Sequence, residues 1–150
     1  MGRETPVDTK LKTNNLATDY AVYGTLRTGE SNARLWTGLA YSVGTTTMAN
    51  FRLVTNGGFP YALFAEDESI VVELIRPIGN VEAQKELRSR LDRLEGYPDF
   101  YDRLYETVEL DGDSQECWVY VPAGDQREYA NLERVINNDW TEYCDQKWSA

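Results

Sequence analysis

The sequence predicts an α+β domain whose strands form a mostly antiparallel, strongly curved sheet or small barrel. Three observations lead to this prediction. The chain has 150 residues, 41% of them hydrophobic, which suits one domain with a modest core. Short segments rich in β-branched and aromatic residues follow one another closely, and one segment in the second half has a clear helical period. This pattern is typical of helices packed against an antiparallel sheet.

The chain begins with a segment that lacks apolar periodicity. Residues 1–18 include Pro6, Asn14 and Asn15, and such termini are seldom held in place. We therefore expect a flexible N-terminal tail over 1–18 and a single domain over 19–150.

Strands are predicted from β-branched and aromatic content between turn residues. The first covers 19–23 and ends at Gly24. The others are predicted at 39–46, 51–54, 61–65, 70–76, 105–110 and 116–121. Asn56-Gly57-Gly58 and Asp111-Gly112-Asp113 are turn sequences between strands, and the second predicts a hairpin.

One helix is predicted over 81–95. Its apolar residues recur every three or four positions and so share a face: Ala83, Leu87, Leu91 and Leu94. Asn80 is a suitable N-cap, and Gly96 followed by Pro98 ends the helix.

A second, weaker helical pattern covers roughly 126–137. Its apolar face consists of Tyr129, Leu132, Val135 and Ile136. The segment after Trp140 has no clear pattern, so no element is predicted there.

Charge and hydropathy exclude two classes of partner. The net charge is −10 and the basic residues are not clustered, so we expect no nucleic-acid binding. No apolar run is longer than that at 61–65, which is far too short to cross a bilayer, since a span needs about 20 residues. The amino terminus is too polar for a signal peptide. We expect a cytoplasmic protein that does not bind membranes.

The chain contains no histidine. A Ser-His-Asp triad, a Cys-His pair and a histidine-bound zinc are therefore impossible within it. No spacing of acidic residues suggests a calcium loop, so no metal is predicted. Cys117 and Cys144 are too few for a disulfide framework, and we expect both to be reduced. Proton transfer would have to use Asp, Glu, Lys, Tyr or Cys.

Glu95 is the first candidate for that role. It ends the predicted helix, beside the negative end of the helix dipole, where a carboxylate is disfavoured. This position acts to raise the carboxyl pKa, as acid–base catalysis near neutral pH requires. From position alone, a simply solvated Glu95 is the commoner interpretation.

The second candidate is the loop Tyr23-Gly24-Thr25-Leu26-Arg27. A glycine directly after a strand lets the backbone turn and aim successive N–H groups at one point, which can bind an anion or oxyanion. A purely structural turn is the alternative. Taken alone, Tyr120 is better explained as a packing residue of the sheet, whereas Tyr101 is of interest because its hydroxyl needs a partner.

Taken together, these motifs resemble the gamma-glutamylcyclotransferase-like family, and within it the gamma-glutamylamine cyclotransferase branch. The resemblance rests on Tyr23-Gly24-Thr25-Leu26-Arg27, on the run from Leu91 to Pro98 (LDRLEGYP), and on Tyr101-Asp102-Arg103. It covers about 19–121. It implies a small curved β-barrel with flanking helices and cleavage of a gamma-glutamyl amine or peptide to 5-oxoproline and a free amine, without a cofactor.

The resemblance also implies roles for particular residues. Glu95 would be the catalytic acid–base. Tyr23, Gly24, Thr25 and Leu26 would bind the glutamyl group through the backbone. Tyr101 and Tyr120 would line the same cavity, and Arg103 would brace the strand after the helix.

Two positions depart from the family pattern. Relatives commonly have Val-x-Gly-Glu before the helix, whereas this chain has Val72 in place of the glycine. Relatives often have an Asn-His pair after the loop, whereas here Ala33 follows Asn32. We expect either change to alter substrate choice by reshaping the pocket, and to leave the proton-transfer residues in place.

Two alternatives stay open at the level of sequence. The same fold could bind a small ligand or a protein without turnover. The acidic surface could instead dock on a basic partner, although its charge is dispersed rather than arranged in a stripe.

Overall fold

The computed structural model describes residues 15–148, which form one six-stranded sheet and two α-helices. The elements in chain order are β1 (Asp19–Val22), β2 (Ala40–Thr55), β3 (Pro60–Pro77), α1 (Val81–Glu95), β4 (Tyr101–Leu110), β5 (Asp113–Pro122), β6 (Glu133–Arg134) and α2 (Trp140–Trp148). Short 3₁₀ turns occupy Ala33–Leu35, Gln126–Tyr129 and Ile136–Asn138. Of the predicted tail, residues 1–14 lie outside the described residues.

The sheet is mostly antiparallel and curls toward closure. Its strand order is β4-β5-β1-β3-β2-β6, and within residues 15–148 only β1 and β5 pair in parallel. Although β2 and β4 are not neighbours in this order, the Thr46 hydroxyl on β2 donates a hydrogen bond of 2.5 Å to the carbonyl oxygen of Glu109 on β4. The predicted α+β fold with a curved, barrel-like sheet is confirmed.

The predicted strands at 39–46 and 51–54 are one strand, β2, and those at 61–65 and 70–76 are also one strand, β3. Residues that often form turns, among them Asn50 and Asp67, lie between the predicted segments. Asn50 and Asp67 do have left-handed backbone, with φ of 74° and 66°, but they form irregularities inside a continuous ladder. A bulge bends a strand without ending it.

Helix α1 has the predicted bounds and caps. The Asn80 side chain accepts a hydrogen bond of 3.1 Å from the Ala83 amide, and Gly96 ends the helix with a φ of 68°. The predicted apolar face is wrong at its last member, because Leu94 is 39% exposed. The buried face is instead formed by Gln84, Leu87 and Leu91, and the next position on it, four residues after Leu91, is Glu95.

The helix predicted at 126–137 is wrong. The segment forms two 3₁₀ turns around the short strand β6, which pairs with the end of β2. Pairing with β2 satisfies the backbone there, with the Val135 amide donating to the Leu53 carbonyl oxygen. Asn137 and Asn138 have φ of 54° and 52°, which no α-helix accommodates. Helix α2 follows, in the segment for which no element was predicted.

Buried side chains form two clusters on the two faces of the sheet. One lies inside the curl and is covered by α2; it includes Met48, Phe51, Leu53, Ile70, Val72 and Leu74. The other lies between the sheet and α1 and includes Tyr20, Ile75, Leu87, Leu91, Trp118 and Tyr120. Cys117 and Cys144 are not bonded to each other. Within residues 15–148, no helix is both long and apolar enough to cross a membrane.

Candidate active site

A small cavity of about 50 Å³ lies where β1 ends, beneath the last turn of α1. Its lining includes all seven residues to which the resemblance assigns catalysis or substrate binding: Tyr23, Gly24, Thr25, Leu26, Glu95, Tyr101 and Tyr120. They come from four different parts of the chain. The fold therefore brings the two candidate motifs, the loop and the helix end, to a single place.

Glu95 lies at this cavity because it continues the buried face of α1. Burial raises the pKa of its carboxyl group from 4.5 to about 7. The sequence suggested the helix dipole as the cause, but burial is the dominant one. Within residues 15–148 the carboxylate has no hydrogen-bond or ion-pair partner. It can therefore accept or donate a proton at a group bound in the cavity.

The loop after β1 makes a tight turn, in which the Arg27 amide donates to the Gly24 carbonyl oxygen at 2.9 Å. Glycine is required at position 24 because a Cβ there would lie 2.7 Å from Cγ of Pro60. The amides of Gly24, Thr25 and Leu26 donate no hydrogen bond to any group in residues 15–148. Unpaired N–H groups lining a cavity can bind a carboxylate or a developing oxyanion.

Glu73 on β3 holds the far end of this loop. Its carboxylate accepts from the Thr28 amide at 2.7 Å and from the Thr28 hydroxyl at 2.5 Å. Although it is charged, Glu73 is only 5% exposed. The sequence analysis did not assign it a role. The signal in the sequence was an acidic residue within the mostly apolar strand predicted at 70–76, since buried acids are rare unless paired.

Three further contacts fix the loop. The Asn32 side chain donates to the Thr25 hydroxyl at 2.9 Å. The Trp36 indole N–H donates to the Leu26 carbonyl oxygen at 2.7 Å. Arg27 forms an ion pair of 2.8 Å with Asp139, just before α2. The loop is thus held in shape before any ligand binds.

The three tyrosines of the cavity differ in what their hydroxyl groups do. Tyr23 donates to the carbonyl oxygen of Tyr120 at 2.7 Å. Tyr120 donates to Asp92 on α1 at 2.5 Å, so its ring rather than its hydroxyl is available to a ligand. The Tyr101 hydroxyl has no partner within residues 15–148. Burial and the nearby Glu95 carboxylate raise the pKa of Tyr101, which stays protonated and can donate.

Arg103 braces β4 against α1, as expected. Its Nε lies 3.1 Å from the Asp92 carboxylate, and its guanidinium lies 3.9 Å from the centre of the Tyr97 ring. Because Tyr120 on β5 bonds the same carboxylate, Asp92 ties the last turn of α1 to both strands. That turn carries Glu95.

Val72, which replaces the glycine of the resembled family, does not line the cavity. Its side chain is fully buried in the cluster inside the curl of the sheet. The expectation that it reshapes the pocket directly is therefore wrong. The other departure, Ala33, does not line the cavity either.

No group of three or more acidic or cysteine side chains within residues 15–148 is placed to hold a metal ion. The cavity lining contains Glu95 as its acidic member. Its chemistry is therefore that of one carboxylate with a raised pKa, a row of unpaired amides and one unpaired phenol.

The model of the family described as "Gamma-glutamyl cyclotransferase, AIG2-like" matches residues 20–142 of this chain. That span contains both motifs and nearly all of the described fold. The chain belongs to the gamma-glutamyl cyclotransferase, AIG2-like family.

Relatives agree with this family membership. A protein of Drosophila melanogaster named "Putative gamma-glutamylcyclotransferase" is 36% identical over 109 residues, 67% of this chain and 66% of the fly protein. The match thus spans slightly under two thirds of that relative's own length.

Solved structures resemble the fold. A crystal structure of an AIG2-like protein from Mus musculus has a TM-score of 0.64 and 24% identity, covering 78% of this chain and 84% of the mouse protein. An uncharacterized protein from Pyrococcus horikoshii also has a TM-score of 0.64, at 17% identity, covering 87% of this chain and 95% of that one. At these identities the gamma-glutamyl cyclotransferase fold is what is shared.

Proposed function

We propose that this chain is a gamma-glutamyl cyclotransferase that converts a small gamma-glutamyl amine or peptide to 5-oxoproline and a free amine, with Glu95 as the acid–base. The observation that carries the proposal is the unpartnered Glu95 carboxyl, with a pKa of about 7, facing the unpaired amides of the Gly24 loop. Membership of the family supports the reaction class.

The proposed reaction needs no nucleophile from the protein and no cofactor. The substrate's own α-nitrogen attacks its γ-carbonyl carbon, a five-membered ring closes, and the bond from that carbon to the leaving nitrogen breaks. Bringing the two reacting groups of one molecule together is the main requirement, and a preformed cavity supplies it. A chain without histidine can therefore carry out this reaction.

In the proposed reaction, Glu95 carries out the proton transfers between the two nitrogens of the substrate. The ionised carboxylate first accepts a proton from the α-ammonium group, whose ordinary pKa is about 8, which makes the nitrogen nucleophilic. After attack, the ring nitrogen loses a further proton and the leaving nitrogen must gain one. A carboxyl group with a pKa near 7 can carry a proton in both directions.

The loop after β1 stabilises the charge that develops. As the tetrahedral carbon forms, the γ-carbonyl oxygen becomes negative, and the amides of Gly24, Thr25 and Leu26 can donate to it or to the glutamyl α-carboxylate. Because Glu73, Asn32 and Trp36 hold the loop, these donors need little reorganisation. The Tyr101 hydroxyl supplies a further donor at the same cavity.

The test is 5-oxoproline release, followed by mass spectrometry, from a panel of gamma-glutamyl amines and peptides. Glu95→Gln keeps the shape of the side chain and removes its proton transfer, so we expect a loss of at least about 100-fold in kcat/KM. Glu82→Gln is the matched control, because Glu82 lies exposed in the first turn of the same helix; it should retain wild-type activity.

Equal product from wild type and Glu95→Gln would overturn the role of Glu95. Binding of a gamma-glutamyl compound by the wild-type protein with no product over hours would instead favour the alternative, a binding module on the same fold.

A further inference from the structure

A second, larger cavity opens directly from the first. This outer cleft has a volume of about 630 Å³, against about 50 Å³ for the inner cavity. Thr25, Phe59, Glu95 and Tyr101 line both. If the glutamyl group occupies the inner cavity, the leaving group must extend past Glu95 into the outer cleft. The side chains of that cleft therefore select the amine.

Aromatic rings form much of the outer cleft. The Tyr61 ring neighbours three others, with its centroid 4.7 Å from that of Tyr129, 5.2 Å from that of Phe59 and 6.5 Å from that of Tyr101. Phe59 is 41% exposed and Phe100 is 75% exposed. Exposed aromatic side chains grouped at a cleft are typical of a binding site for an apolar or aromatic group.

One cation lies at the same cleft. Arg93, in the last turn of α1, lines it. Within residues 15–148 its guanidinium has no hydrogen bond, ion pair or ring contact. Neighbouring arginines differ, since Arg90 pairs with Glu86 and Arg103 pairs with Asp92. An unpaired guanidinium beside an aromatic cleft fits a carboxylate, which it can bind through two hydrogen bonds.

We infer that the leaving amine is an aromatic α-amino acid, so that the substrate is a gamma-glutamyl dipeptide whose second residue carries an aromatic ring. This inference rests on the proposed function. The leaving nitrogen lies at Glu95, the ring packs against Tyr61 and Tyr129, and the carboxylate binds Arg93. A ring and a carboxylate on one carbon atom match the two kinds of surface that the cleft presents.

The same residues disfavour a cationic leaving group. An ammonium group in the cleft would face Arg93, and Glu95 is the one acidic residue among the side chains that line it. Glu95 is occupied by the reacting nitrogens. A net charge of −10 over the whole chain would repel a substrate carboxylate, so a local cation is needed to bind one.

The test compares kcat/KM for 5-oxoproline release from four compounds. Gamma-glutamyl-phenylalanine carries ring and carboxylate, and gamma-glutamyl-phenethylamine carries the ring alone. Gamma-glutamyl-alanine carries the carboxylate alone. The fourth compound, gamma-glutamyl-lysine linked through the lysine ε-nitrogen, carries an ammonium and a carboxylate, both far from the amide bond that is cleaved. We expect the phenylalanine compound to be preferred by about tenfold over each of the others. Equal turnover of all four, or preference for the lysine compound, would overturn the inference.

Two variants assign the preference to the cleft. Arg93→Gln should lower kcat/KM for the phenylalanine compound by about tenfold and leave the phenethylamine compound unchanged. Tyr129→Leu should weaken both ring-bearing compounds and spare the alanine compound. Lys85→Gln is the matched control for Arg93→Gln, because it removes one exposed positive charge from the same helix away from the cleft. An equal effect of the two charge changes would contradict a specific role for Arg93.

Calorimetric binding to wild-type protein separates this inference from the proposed function. If nothing is turned over but the phenylalanine compound binds more tightly than the other three, and Arg93→Gln removes that advantage, the ligand specificity assigned to the outer cleft stands and the proposed reaction fails. If product forms from all compounds at similar rates, the reaction stands and the inference fails. If no compound binds, both fail.

Discussion

Glu95 combines a cost in folding stability with the proton-transfer role that we propose for it. It occupies a position on α1 that the helical period assigns to the sheet-facing side, four residues after the fully buried Leu91. An apolar side chain there would extend the core. The carboxylate instead loses water without gaining a partner, and this raises its pKa to about 7.

This cost predicts how Glu95→Gln changes stability. The folded chain holds the Glu95 proton more tightly than the unfolded chain, so the contribution of Glu95 to stability falls as the pH rises from about 4.5 to about 7 and is constant above that. Glutamine, which is always neutral, avoids the loss. We expect Glu95→Gln to match wild type near pH 4.5 and to be more stable by about 1–3 kcal/mol at pH 8.

Urea unfolding at the two pH values measures this difference. Glu82→Gln serves again as the control, because Glu82 is exposed. A Glu95→Gln protein that is no more stable than wild type at pH 8 would show that the carboxylate is well solvated. It would also remove the physical basis for its raised pKa.

At the scale of elements, the site depends on how the loop after β1 is fixed. Glu73 lies on β3, beside β1, and reaches across to accept both hydrogen bonds that Thr28 offers. The Asn32 side chain closes the same loop from within. The Glu95 carboxylate, to which we assign the acid–base role, lies on a different element, the last turn of α1, which Asp92 ties to β4 and β5.

Glu73→Gln tests the importance of this loop. A glutamine amide can accept at one atom only and would place an N–H donor against a Thr28 donor, so one buried group would be left unsatisfied. We expect a stability loss of about 1–3 kcal/mol and a fall of about tenfold in kcat/KM for 5-oxoproline release. Thr28→Ser, which keeps both donors, is the matched control and should retain activity. Wild-type activity in Glu73→Gln would show that loop order is not needed for turnover.

At the scale of the whole molecule, the sequence predicted an element correctly where its signals lie within one segment, and failed where pairing between distant segments decides the structure. The bounds and caps of α1 follow from Asn80, Gly96 and a regular period, all within one segment. The helix expected at 126–137 failed because β6 pairs with β2, about 80 residues earlier in the chain, and pairing across such a separation outweighs a weak local period.

The candidate site residues could be found in the sequence, but the contacts that hold the Gly24 loop could not. Glu95 and the Gly24 loop each break a local pattern, so both could be found in the sequence. Glu73 and Thr28 lie 45 residues apart, and Arg27 and Asp139 lie 112 apart. No local signal joins such pairs, which become neighbours only when the sheet curls and α2 packs against it.

The pH dependence of kcat/KM for 5-oxoproline release between pH 5 and 9 tests the central claim most directly. The reacting pair is ionised Glu95 with a protonated substrate amine. Below pH 7, kcat/KM should therefore decrease by about tenfold for each pH unit, because Glu95 becomes protonated. At higher pH, kcat/KM should decrease again as the substrate ammonium loses its proton. The residual activity of Glu95→Gln should not show the decrease in kcat/KM below pH 7. A wild-type kcat/KM that is constant from pH 5 to 7, or the same decrease below pH 7 in Glu95→Gln, would contradict the assignment of Glu95 as the proton carrier.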